Sequence, residues 1–298
     1  MRISRLAILG LFLSAQAGAI GVRQLDIHLP SGEAARATLW YPSASSGQPV
    51  RMSDYLHMEG HKGDLGEAIA ALLANNPAAV PADLRAEALT TRFRALRDAR
   101  PRAGRYPLIL WSLRPGTVSA QAYLSEALAR AGFLVAVVEP LAWKPASTRG
   151  DFTKHTLFLE QSIGELAKLP QIDASRIAVI GWSHGGESAI QLAGRNPSVV
   201  LLIVLAPDAP AGGGMLKVPV VWFDERVPPE NATSDVHHTR LRGVSPRCFS
   251  TVEGWLAARA GVKEPHVTPA CARGYEHAVE LVVRYATYYL RTATSSAR

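Results

Sequence analysis

The stretch Ile177-Ala178-Val179-Ile180-Gly181-Trp182-Ser183-His184-Gly185-Gly186 constrains this chain more than any other. A short β-branched run passes at once into Gly-x-Ser-x-Gly, and Glu187 to Ala193 can continue as a helix. A continuous apolar run of this length suits a strand buried on both faces of a parallel sheet. The spacing predicts a tight strand-to-helix turn holding Ser183 in an unfavourable backbone conformation, with Gly181 and Gly185 keeping its neighbours small. Such a turn belongs to a sheet whose strands are joined by helices, so it sets the fold class as α/β.

The rest of the chain agrees. Gln24 to Leu29 and Ala37 to Tyr41 read as an antiparallel pair turned at Pro30-Ser31-Gly32. Tyr106 to Trp111, Phe133 to Val138, Val199 to Leu205 and Val218 to Phe223 read as buried strands. Ser119 to Arg130, Leu157 to Leu166 and Leu281 to Leu290 carry helical spacing. The alternation predicts a mostly parallel central sheet with helices on both faces. From about 50 to 105 the pattern differs. Asp64 to Leu73 reads as one helix, and Pro81 opens a second whose apolar stripe is Leu84, Ala88, Phe93 and Leu96. This region is expected to be a helical insertion before the third strand.

Met1 to Arg5 is positive, Leu6 to Leu13 is apolar but too short to span a bilayer, and Ala17-Gly18-Ala19 offers a small-x-small cleavage pattern. Residues 1–19 are therefore expected to be a signal peptide and 20–298 one domain, exported to a periplasm or secreted, with no stable membrane span. In an oxidising compartment the two cysteines, Cys248 and Cys271, are expected to pair. Neither has a ligand-spaced partner, so no metal is expected. The net charge of +7 is mostly scattered arginine, and with no nucleic-acid motif it reads as a solvated basic surface.

A serine becomes a nucleophile when a histidine takes its proton and an acid orients that histidine. Chain order in this kind of fold is serine, acid, histidine. His277 is the favoured base, read as lying on a loop directly before the final helix; His266 is its closest rival, and His237-His238 reads as a polar helix face. Asp208 is the favoured acid and Asp224 the alternative, each following a strand at the carboxyl edge of the sheet. One oxyanion donor is expected from the backbone N–H of His184. The other is expected from Arg114 or Gly116 after Trp111, because Pro115 has no N–H.

These residues resemble the α/β-hydrolase superfamily, and within it the serine branch of dienelactone-hydrolase-like proteins related to platelet-activating-factor acetylhydrolases. The likeness rests on Leu39-Trp40-Tyr41-Pro42, Ile172 to Ile177, the Gly181–Gly186 segment and His277, and it covers most of the chain. It implies Ser183 as nucleophile and His277 as base. For the acid, the acetylhydrolase pattern points to Asp208, and many dienelactone-hydrolase-like relatives to Asp224. It implies a small-molecule ester substrate and no cofactor. Relatives carry His-Gly in the loop after Trp111 where this chain has Leu113-Arg114. That departure supports an alternative reading, a catalytically impaired hydrolase-fold protein that binds a ligand or partner.

Overall fold

The computed structural model describes residues 18–74, 77–113, 118–141, 152–207, 216–224, 228, 235–240, 246–252 and 269–293. Two antiparallel strands open the fold, β1 (Ala19–His28) and β2 (Ala34–Ser43). A short strand β3 (Pro49–Arg51) leads into helices α1 (Met52–Met58), α2 (Leu65–Leu73) and α3 (Ala82–Thr90), then strand β4 (Arg92–Arg97). From there strands and helices alternate: β5 (Tyr106–Ser112), α4 (Ala122–Arg130), β6 (Leu134–Pro140), α5 (Phe152–Leu166), β7 (Ile172–Trp182), α6 (Gly185–Arg195) and β8 (Val199–Leu205). Strands β9 (Val220–Phe223) and β10 (Val236–Thr239) and helix α7 (Pro269–Thr292) complete the described chain.

The ten strands of the described residues form one sheet in the order β10-β9-β8-β7-β5-β6-β2-β1-β4-β3. From β6 through β10 every pairing is parallel, as expected. The central strands show why. Every residue of β5 is buried, and Ile177 to Gly181 of β7 and Leu201 to Leu205 of β8 are buried without alternation, so both faces must be covered. On one face Ile109, Trp111, Ile180 and Ile203 pack with α1, α4 and α7; on the other Leu108, Leu110, Val179 and Leu202 pack with α5 and α6. The helix–strand spacing read from the sequence therefore yields the expected two-sided α/β sheet.

Two parts of the sheet differ from the sequence reading. Residues 92–97 form strand rather than the end of a helix. Phe93 and Ala95 are buried while Arg92 and Arg94 are exposed, a period of two that overrides the helical stripe drawn through Phe93 and Leu96. The buried Glu126 carboxylate secures the strand, accepting from the N–H groups of Arg94 and Ala95 at 2.9 and 3.0 Å and from the Tyr55 hydroxyl at 2.9 Å. The insertion thus adds two strands to the sheet, with Arg51 of β3 paired directly across from Arg92 of β4. Second, His237 and His238 lie on strand β10, not on a helix, and extend the sheet beside β9.

Candidate active site

Ser183 stands between β7 and α6 with φ of +52°, a left-handed conformation that a non-glycine residue adopts only at a cost. Its N–H donates to the Leu205 carbonyl (3.1 Å), and its own carbonyl accepts from the Gly186 N–H (3.0 Å). The turn is tight enough to require glycine around it. A β carbon on Gly181 would stand 2.7 Å from Ala189 Cβ and from Gly186 Cα, and one on Gly186 would stand 2.8 Å from Pro207 Cβ. A β carbon on Gly185 would overlap the Ser112 backbone. The glycines expected from the sequence are thus required by close approach, and Gly186 joins them.

Sheet register brings the other expected parts to the same edge. Ser112 pairs with Gly181, Trp182 with Leu205, Leu205 with Phe223, and Phe223 with Thr239. The residues that follow, Leu113, Ser183, Ala206 and Asp224, therefore leave the carboxyl edge side by side. Neighbouring strands lie about 4.8 Å apart, so the Asp224 backbone is about 10 Å from that of Ser183. Asp224 is half-buried, and its carbonyl accepts from His238 Nε2 at 2.9 Å. Ala206 is another non-glycine residue with positive φ, +41°, and its N–H donates to the Phe223 carbonyl. Of the three non-glycine residues with positive φ among the described residues, two, Ser183 and Ala206, thus end neighbouring strands, and the third is Asp98. Asp208, Arg114, Gly116 and His266 lie outside the described residues.

His277 is not on a loop. It lies within α7, which begins at Pro269, and it is exposed. Cys271, Tyr275, Ala278, Val279, Val282, Ala286 and Leu290 are buried at helical spacing along α7, and this stripe carries the helix through Gly274, where the sequence reading expected a loop. The His184 side chain is adjacent to the serine, with Nδ1 3.5 Å from Ser183 Oγ. A second serine–histidine contact has no signature in the sequence. His155 Nδ1 on α5 lies 3.1 Å from Ser188 Oγ on α6, and burial pushes the His155 pKa down to about 4. Ser188 is fully buried and its hydroxyl donates to the Phe152 carbonyl, so this pair clasps two helices rather than presenting a nucleophile. Burial of the serine separates the two contacts, which sequence spacing does not reveal.

Cys248 and Cys271 are joined, with Cα atoms 5.0 Å apart, as expected. The bridge ties the 3-10 turn Pro246–Phe249 to the first turn of α7. Thr251 beside it accepts from the Tyr123 N–H at 3.1 Å, and Gln121 Nε2 donates to the Phe249 carbonyl at 3.4 Å. The start of α4 and the region after β10 are therefore connected. Among the described residues no three His, Cys, Asp or Glu side chains converge as metal ligands would, and no helix is long and apolar enough to cross a membrane.

No protein-family model matches this sequence, and no curated protein matches it. Solved structures do. A ferulic acid esterase from Streptomyces cinnamoneus superposes with a TM-score of 0.67 at 19% identity, covering 93% of this chain and 91% of its own. A hypothetical protein from Pseudomonas aeruginosa gives a TM-score of 0.39 at 13% identity over 63% of this chain and 43% of its own. The strand order, the parallel register and the likeness to the esterase establish that this chain has the α/β-hydrolase fold.

Proposed function

We propose that this chain is an exported serine hydrolase that cleaves small carboxylic esters through an acyl-enzyme. The observation that carries the reading is Ser183 held at φ +52° on a strand-to-helix turn whose neighbouring glycines have no room for a β carbon. A turn so strained is maintained by the surrounding packing, and it presents the hydroxyl at the edge where open α/β sheets bind ligands. The structural neighbour named for ferulic acid esters supports ester chemistry on this scaffold.

In this proposal Ser183 Oγ attacks the ester carbonyl as a histidine takes its proton. The alkoxide leaves with that proton, and water repeats the sequence on the acyl group. The His184 N–H and an N–H of Arg114 or Gly116 receive the developing oxyanion. Asp208 is the preferred acid and Asp224 the alternative. Because His277 is helical and exposed, His266, in the chain between β10 and α7, becomes the favoured base. No cofactor is required. Export is supported by the disulfide and by the composition of residues 1–19.

The test is labelling with a fluorophosphonate probe alongside hydrolysis of short p-nitrophenyl esters. Labelling and turnover that vanish together in Ser183→Ala would support the proposal. A folded wild-type chain that neither labels nor turns over would overturn it in favour of the impaired, ligand-binding alternative.

A further inference from the structure

We propose that one face of strands β1, β3 and β4 is a docking surface for the anionic headgroups of a phospholipid bilayer.

Strand alternation builds the face. On β4 the side chains of Phe93 and Ala95 join the core, which turns Arg92 and Arg94 to the opposite side. Arg51 of β3 stands across from Arg92 and shares that side, while Val50 beside it is buried in the core. On β1, the neighbour of β4, Ile20 and Val22 are buried in the same core, so Arg23 lies on the side of the arginines. Among the described residues, the helices on this side lie over the middle of the sheet. α6 packs on β5, β7 and β8, and α5 packs on α6. Arg51, Arg92 and Arg94 are left exposed.

The charges are close and uncompensated. Residues opposite each other lie about 5 Å apart, and alternate residues of one strand about 7 Å apart, so three guanidinium groups crowd one small area. Among the described residues no carboxylate forms an ion pair with any of the three. Arg97, farther along β4, does pair, with Asp54 Oδ1 at 2.8 Å. Arg23 adds a fourth cation. Its Cζ lies 5.4 Å from the centre of the Tyr41 ring, and its Nε is buried with no hydrogen-bond partner. Residues 92–105 together hold six arginines against one acid, Asp98. Like charges this close weaken the strands that carry them, and an anionic partner removes that cost. The planar fork of a guanidinium suits phosphate in particular.

Two features favour a bilayer over a soluble polyanion. Leu96, half-buried, and Pro49, exposed, lie paired on this face, while Tyr41 is buried and gives nucleobases no ring to stack on. The fold also begins here. Ile20 is in register with Ala95, one residue from Arg94, and the apolar run Leu6 to Leu13 precedes it in the sequence. A membrane engaged by that run meets the arginines at the first strand. β4 is five strands from β7, about 24 Å, so docking and the proposed reaction are separable.

The experiment sediments the whole chain with vesicles of phosphatidylcholine alone and of phosphatidylcholine carrying about one-third phosphatidylglycerol. Wild type should partition at least about tenfold more strongly onto the anionic vesicles at about 0.1 M NaCl and lose that preference at about 1 M, where charges are screened beyond about 3 Å. An arginine at an anionic surface is worth about fivefold, so replacing Arg51, Arg92 and Arg94 together by glutamine should weaken this binding about a hundredfold. The urea midpoint of that variant should not fall, because repulsion has been removed. Replacing Lys62, Arg130 and Arg284 by glutamine makes the same change of charge at exposed positions on the other side, and should weaken binding by less than about threefold. If the first triple variant does not fold, Arg94→Gln alone, expected to lose about fivefold, decides. Arg2 and Arg5 are common to every variant, so they do not enter the comparison. The proposal is overturned if wild type shows no preference for the anionic vesicles, if the arginine variants bind as wild type does, or if the control variant falls as far. A wild type that binds heparin through these arginines but ignores the vesicles would assign the face to a soluble polyanion and overturn it equally.

Discussion

The carbonyl oxygen of Ser112 lies 1.8 Å from the point where a β carbon on Gly185 would stand, and the Ser112 hydroxyl donates to the Gly185 carbonyl at 2.7 Å. The end of β5 is thereby locked to the helix that follows the serine. Gly185→Ala should force β5 and α6 apart, because the obstructing atom is backbone and cannot rotate away. Overpacking of this kind costs about 3 kcal/mol. The expected outcome is a lower urea midpoint and loss of ester turnover. Ser112→Ala should cost only about 1 kcal/mol, the value of one buried hydrogen bond.

Ser183→Gly separates strain from chemistry. At φ +52° glycine is unstrained, so this variant should be about 1 kcal/mol more stable than wild type and should neither label nor turn over. Ser183→Ala keeps the strain and should be inactive without the gain. Thermal melts of the two variants side by side check this.

The proposed base and acid are open to a direct ranking. His266→Ala should lose about a thousandfold or more in kcat, whereas His277→Ala, at an exposed helical position, should change it by less than about threefold. Asp208→Asn should cost more than Asp224→Asn. Steady-state kinetics on one ester decides; the reverse order for the histidines would return the base to α7.

Reducing the Cys248–Cys271 bridge, or replacing both residues by alanine, should lower stability by about 3 kcal/mol for a 23-residue separation. Thiol titration of the denatured, unreduced protein should find no free cysteine. Because the bridge brackets the segment carrying His266, kcat should fall before the sheet unfolds in a urea series.

Burial lowers the His155 pKa to about 4, so the folded state holds the neutral ring. The unfolded chain takes up a proton below its ordinary value of about 6.5. Stability is therefore complete above that pH and declines as the pH falls toward 4, by about 2 kcal/mol at pH 5. His155→Gln should flatten this part of the profile. Urea midpoints at pH 7.5 and 5 measure both.

The central sheet was legible because β5, Ile177–Gly181 of β7 and Leu201–Leu205 of β8 are buried on both faces and therefore almost wholly apolar, and because the elbow's glycines answer to a backbone constraint that spacing exposes. The disulfide was legible from cysteine number and compartment. The edges of the fold were not. Residues 92–97 carry both a helical and an alternating pattern, and the choice between them depends on a carboxylate 31 residues beyond Ala95, Glu126. Gly274 beside His277 looks like a loop until Tyr275, Ala278 and Val282 are seen to share one buried face. Glu59 has no signature in the sequence because its partner is a backbone N–H, that of Ser119, which sequence does not display.

One terminal strand of the sheet carries its own guard. Arg51 and Arg92 face each other across β3 and β4, both exposed, with Arg94 following on the same face. Like charges set directly opposite weaken a strand pair, and here one lies on the last strand, β3, and two on its neighbour β4. An incoming chain would have to approach Arg51, with Arg92 and Arg94 on the strand behind it. A second positively charged strand would be repelled at this edge, and that repulsion should fade as salt screens it.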